Sequence, residues 1–195
     1  MPGADPGDLV SESATAMRAM TRDPATLVLI ARRLIDHHPT CGPLWTMCAR
    51  AVMSGDPAAS LADSARAATH DAVGERVDGE IRKRDGIRPA VLTALACAPS
   101  TGGTGRWFAM VEPSGTRRAT RARVEQREVW LAVPVGACVT RAMWDDMVRR
   151  VPDTEVLGSG DVDLVVRATT SAPAATWMAE PECPPWPGLL AGDAR

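Results

Sequence analysis

The segment Glu112-Pro113-Ser114-Gly115-Thr116-Arg117-Arg118 combines the residue types that hold an anion. It follows the apolar run Trp107–Val111 and leads into a stretch that reads as a helix from about Thr116 to Gln126. A glycine turn at the carboxyl end of a strand sets backbone N–H groups at a helix N-terminus. Unpaired amides and the helix dipole both favour negative charge there. Ser114 and Thr116 add hydroxyls, and Arg117 and Arg118 add guanidinium forks suited to phosphate. Ser114, Gly115, Thr116, Arg117 and Arg118 are therefore candidate ligand-binding residues. The segment is neither the Gly-Lys-Ser/Thr of a Walker loop nor GxGxxG. An ordinary strand-to-helix turn with a solvated arginine face is the competing reading. A second glycine-rich loop, Ser100-Thr101-Gly102-Gly103-Thr104-Gly105, follows the apolar run Ala90–Ala96. If the two runs are neighbouring strands, both loops open on one edge of the sheet, where open α/β sheets take ligands. Ser100, Thr101, Gly102 and Gly103 join the candidate set on that ground, with a plain connector as the alternative.

Other chemistries find fewer residues. Cys97 sits at a strand end beside the glycine loop, the one weak candidate for a catalytic nucleophile. A reactive thiol needs a lowered pKa, and no histidine lies near it in sequence; a buried, inert cysteine is the other reading. Cys138, after Val135-Gly136, is similar. His37, His38, Cys41 and Cys48 invite zinc, but Pro39 and Gly42-Pro43 break any shared helical face and a fourth ligand has no source. No metal and no cofactor are expected. Asp145-Asp146 and Asp161/Asp163 do not form a pair sharing one site. The stretch Arg117–Arg127 carries five arginines and one glutamate. No aromatic residue interleaves with them and no helix-turn-helix is apparent, so nucleic acid is not the expected partner.

The elements that must position these residues can be read in order. A short helix is predicted over 9–21. Asp23-Pro24 and Asp56-Pro57 each place an N-cap oxygen before a proline at the first helical position. Leu27, Ile30, Ala31 and Leu34 share one face, as do Leu44, Trp45, Cys48, Ala51 and Val52. Val73, Val77 and Ile81 continue a narrow stripe up to Asp85-Gly86. Residues 9–85 thus read as four or five helices in an antiparallel bundle. Beyond Arg88-Pro89 the character changes. Strands are predicted over 90–96, 107–111, 128–133, 156–157 and 162–166, with a helix capped by Thr140 in between. Strands alternating with helices predict parallel pairing and right-handed crossovers. The fold class is α/β: a helical N-terminal region over 1–86, a small, mostly parallel sheet with flanking helices over 87–171, and a proline-rich tail over 172–195. That tail is expected to lie across the domain, held by Trp177 or Trp186.

The 195 residues are 45% apolar with a formal net charge of −2. They can bury a core and have no whole-protein attraction to nucleic acid or an acidic membrane. Lys83 is the only lysine, so nearly all positive charge is arginine. Of the six tryptophans, Trp45, Trp107, Trp130 and Trp144 fall inside predicted elements and read as core. No signal-type apolar region opens the chain, and no apolar run reaches the ~18 residues of a membrane span. The scattered cysteines, five in number, fit a soluble protein of the reducing cytoplasm.

Four stretches in sequence, "ARRLIDHHPTCGPLW", "AVLTALA", "VEPSGTRRATRA" and "EVWLAVPVGACVTRAMWDDMV", together resemble a short member of one superfamily over roughly residues 24–167. It contains the alpha/beta/delta regulatory subunits of translation initiation factor 2B and the methylthioribose-1-phosphate and ribose-1,5-bisphosphate isomerases (the ISOCOT superfamily). The resemblance implies a Rossmann-like C-terminal domain, a homodimer, and a small phosphorylated ligand or a partner subunit. The isomerases use a cysteine and an aspartate. No position here matches that aspartate, so no catalytic residue carries across. The expected function is a non-catalytic relative. A working sugar-phosphate isomerase with Cys97 in its site, and a protein-interaction module using the helical half and the tail, are the alternatives.

Overall fold

The computed structural model of this chain describes residues 5–100 and 106–190. Its first half is helical: α1 (Pro6–Arg18), α2 (Pro24–His37), α3 (Gly42–Met53), α4 (Pro57–Thr69) and α5 (Val73–Lys83). Three helices begin alike. Asp5, Asp23 and Asp56 stand before prolines, and their carboxylates accept N–H bonds from Gly7, Ala25 and Ala59 at 2.8–3.0 Å. Each cap satisfies an amide that the first turn leaves without a partner. The Asp5-Pro6 signal places α1 a few residues earlier than its apolar face alone suggests.

Helix α3 is the axis of this half. Every residue from Gly42 to Ala49 is buried, against α1, α2 and α4 on its flanks and β1 (Ala90–Pro99) beneath. Gly42 permits that seat. A Cβ there would lie 2.8 Å from the Leu95 carbonyl oxygen and 2.9 Å from that of Ala137, both backbone atoms. α5 leaves the bundle that its sequence stripe suggested. Its Val77 packs on the sheet residues Trp130, Ala132, Leu164 and Val166.

The remaining elements are β2 (Trp107–Val111), α6 (Gly115–Val124), β3 (Val129–Ala132), α7 (Arg141–Arg150), β4 (Val156–Gly158), β5 (Leu164–Val166) and β6 (Ser171–Pro173). The six strands form one sheet in the order β4-β2-β1-β3-β5-β6. The centre is parallel, with Val91 opposite Trp130 and Trp130 opposite Leu164. β2, β4 and β6 join it antiparallel. Side chains alternate across the sheet, as a pleated strand requires. Val129 and Leu131 of β3 meet Ala119 and Ala122 of α6. Trp130 and Ala132 face α5, and on the same side Ala96, Ala98 and Met110 meet Leu44, Trp45, Trp144 and Met147 of α3 and α7. This is an α/β, Rossmann-like arrangement with flanking helices. The bundle and the sheet share a hydrophobic core across the boundary at residue 87.

One expectation about the strands needs correction. β1 and β2 are neighbours, but they form a hairpin, with Cys97 opposite Ala109 and the Ser100 N–H donating to the Arg106 carbonyl. A parallel crossover takes about a dozen residues or more, and 100–106 is too short for one. The Pro99–Trp107 end of the hairpin and the turn at 112–115 therefore lie at opposite ends of the sheet. The stretch expected to be a tail from 172 instead begins in strand β6, and its described part, to residue 190, packs on the domain. Trp177 meets Trp107 edge-on with centroids 5.1 Å apart, and the Trp107 indole N–H donates to the Ala174 carbonyl at 3.1 Å. Leu189 ends in the helical core. Among the described residues no helix is long and apolar enough to cross a membrane.

Candidate functional site

The turn at 112–114 leads from β2, which pairs antiparallel on both sides, directly into α6, and a residue from far away completes it. Ser114 takes a left-handed conformation, φ 72°, at the N-cap of α6, and its side chain caps nothing. Gly115 follows because a Cβ there would meet the Val111 Cγ2 methyl at 2.6 Å. This geometry turns the Ser114 and Thr116 amides and the Thr116 hydroxyl toward one point. That point holds the Glu155 carboxylate. Oε1 accepts from the Ser114 N–H at 3.0 Å, and Oε2 accepts from the Thr116 N–H and Oγ1–H, each at 2.8 Å. The amide and hydroxyl of Thr116 hold the Glu155 carboxyl below the usual glutamate range, with Ser114 N–H and the Arg117 charge acting the same way. The position is an anion site whose anion belongs to the chain.

The arginines beside it are largely engaged. Arg117 donates to Ser114 Oγ at 2.7 Å, its one side-chain hydrogen bond among the described residues. Arg118 pairs with Glu112 at 2.6 Å and also reaches the Val91 carbonyl. The other oxygen of Glu112 accepts the Thr93 N–H at 2.7 Å, just below the last β1–β2 pair. Arg121 and Arg127 both pair with Glu125, and Arg123 pairs with Asp163. Arg127 also donates to the Arg88 and Pro89 carbonyls. Most of the arginine-rich face therefore ties α6 to the start of β1 and to its own C-terminus.

The other candidates fall elsewhere. Ser100 closes the β1–β2 hairpin, at the far end of the sheet from Ser114 and Gly115. Thr101, Gly102 and Gly103 lie outside the described residues. Cys97 is fully buried in β1, opposite Cys138 of the loop after β3. Burial, then the neighbouring Cys138 thiol, pushes the Cys97 thiol well above its ordinary value. Burial raises Cys138 to about 12 and Cys41 to about 11. These are protonated core thiols at neutral pH, the opposite of an activated nucleophile. His37 Nδ1 lies 2.7 Å from the Arg33 carbonyl at the C-terminal turn of α2.

Sequence reasoning missed Glu155, the residue that completes the α6 site. It is 39 residues from Thr116, in the turn between α7 and β4. No local pattern marks it, and only the β2–β4 pairing brings it to the turn. No family model matches the chain, and no curated protein or solved structure matches it.

Proposed function

We propose that this chain is a non-catalytic binding protein that takes a small phosphorylated ligand at the start of α6, in exchange for the Glu155 carboxylate. The observation that carries this reading is the convergence of three donors, from Ser114 and Thr116, on one acceptor group. Such an array selects anions. A phosphoryl group brings more charge and more acceptor oxygens than the carboxylate it replaces. Arg117 stands beside the position and gives up one hydrogen bond, to Ser114 Oγ, to reach a phosphoryl oxygen. Glu155 is half-buried, in a turn flanked by the exposed residues Pro152, Asp153 and Val156, so its release disturbs little of the core.

The alternatives draw less support. A sugar-phosphate isomerase acting through Cys97 needs that thiol at a surface, and it is 0% exposed. An interaction module needs an apolar patch at Trp177 or Trp186. The exposed large apolar side chains, Met20, Leu29, Met53, Val124, Val148, Val156 and Met178, are spread over different elements and include neither tryptophan.

The test is calorimetric titration of inorganic phosphate and a sugar phosphate into the parent, Glu155→Ala and Arg117→Ala/Glu155→Ala. If Glu155 fills the position roughly nine-tenths of the time, its removal tightens binding by about tenfold. The double variant should lose part of that gain. Equal affinities for the parent and Glu155→Ala would refute the exchange.

A further inference from the structure

The carboxyl ends of the parallel strands β1, β3 and β5 form the edge where an open α/β sheet normally receives its ligand. Here the C-terminal segment crosses that edge. It leaves β6 beside β5, packs Trp177 against Trp107, passes the loop after β3 and ends on the helical bundle through Leu189. Its polar anchor is Glu182. One carboxylate oxygen accepts the Gly136 N–H at 2.7 Å, and the other pairs with Arg167 at 2.8 Å. The Glu182 amide donates to the Cys138 carbonyl at 2.9 Å, and its own carbonyl accepts from Arg50 at 2.8 Å. Glu182 is 14% exposed and Arg167 28%, so the cluster sits at the edge of the core and not on an open surface. Among the described residues, neither Arg50 nor Arg167 has another side-chain hydrogen bond or ion pair.

Removing the Glu182 side chain would thus leave the Arg167 guanidinium and the Gly136 amide facing the place its carboxylate holds, while Arg50 stays on the main-chain carbonyl of residue 182. A guanidinium and an N–H that each take one oxygen of the same group match the two oxygens of a carboxylate. We infer that the Gly136 N–H and Arg167 form a second binding site, for the carboxylate of a small organic acid, with the Glu182 side chain as its resident occupant and the segment 177–190 as a displaceable strap that Arg50 holds by the Glu182 carbonyl. The strap suits that role. Its one regular element is a short 3-10 turn at Pro187–Leu189. Besides Glu182, it is held by the buried side chains of Trp177, Ala179, Cys183 and Leu189, by Trp186 and Leu190 packed on the bundle core, and by arginine bonds to the Gly188 and Leu189 carbonyls. It has no strand ladder or α-helix of its own to break, so it separates locally at less cost than the sheet or bundle. The site is distinct from the start of α6, so either can fail without the other.

The experiment compares the full chain with Glu182→Ala and Arg167→Ala/Glu182→Ala, titrating succinate and inorganic phosphate by calorimetry. Glu182→Ala should bind succinate about tenfold more tightly than the parent, because the internal competitor is gone, and the double variant should lose the gain. Equal succinate affinity in the parent and Glu182→Ala, or a gain that survives loss of Arg167, overturns the site. A gain for phosphate with none for succinate overturns the carboxylate assignment. If Glu182→Ala does not fold, the parent itself decides. Succinate should speed chymotryptic cleavage after Trp177, which Met178 follows, as the strap leaves, and unchanged cleavage overturns the displacement.

Discussion

Replacing Glu155 with Ala removes the group that caps α6 from a distance. Ser114 stands at the N-cap and provides no side-chain bond to the helix. Glu155 supplies what an N-cap would, for two amides and a hydroxyl. Losing a cap costs about 0.5–2 kcal/mol, and hydrogen bonds to a charged group sit at the upper part of such ranges. The turn is half-buried, so water can reach the freed amides and recover part of the loss. We expect a destabilisation of about 1–2 kcal/mol in urea titration. For a chain of this size that is a fall in Tm of roughly 2–8 °C. Acidity gives a second readout. The folded state holds the Glu155 carboxyl below its usual value, so its contribution is complete above the unfolded-chain value of about 4.3. It disappears as pH falls through the lower folded value. The parent should lose more stability than Glu155→Ala between pH 5 and acid, because only the parent has this contribution to lose. A Glu155→Ala Tm equal to that of the parent at pH 7, or parallel pH profiles for the two, would refute the capping role.

Three further outcomes follow from the packing. Gly42→Ala should destabilise by about 1–3 kcal/mol or more in urea, because its Cβ would press on the Leu95 and Ala137 carbonyls; an unchanged midpoint would mean that α3 can lift off the sheet freely. In native protein at pH 7.5, iodoacetamide should leave Cys48, Cys97 and Cys138 unmodified by mass spectrometry until denaturant is added. Those thiols are buried and their pKa values raised, and fast labelling of Cys97 would revive the nucleophile reading. Asp146→Ala should cost about 1–3 kcal/mol, because Arg149 is exposed and Arg150 keeps Asp36 as a partner. Asp146 is fully buried and pairs with Arg149 at 2.8 Å and Arg150 at 2.9 Å, and Arg150 also stacks over Trp45. A loss below ~1 kcal/mol would show that these arginines find water as readily as the carboxylate.

Much of the architecture was legible because its signals act over a few residues. Asp23-Pro24 and Asp56-Pro57 start helices through the cap and the fixed proline torsion, and both appear where the sequence places them. The apolar runs at 90–96 and 107–111 are strands, and Thr140 caps α7. The glycine-serine turn before α6 was found from composition alone, since only a short list of residues accepts that geometry. The hairpin was also within reach, because a linker as short as 100–106 excludes a crossover. By contrast, the departure of α5 from the bundle was not legible. Val73, Val77 and Ile81 form an apolar stripe that fits a helix face or a sheet face equally well, and the choice depends on which surface Trp130 and Leu164 leave uncovered.

Local sequence sets where α2, α4 and α7 begin, which faces are apolar, and that the start of α6 carries amide and hydroxyl donors. What occupies those donors depends on how the chain folds as a whole. Glu155 comes from beyond β3 and α7, and Glu182 reaches Gly136 from 46 residues away. Neither glutamate differs in its local sequence from a solvated surface acid. Each acquires its partner through the pairing of strands and the path of the tail, which the whole chain must fold to set. Local torsional preferences extend over a turn or two, whereas the meeting of a carboxylate with a distant amide depends on all the packing between them.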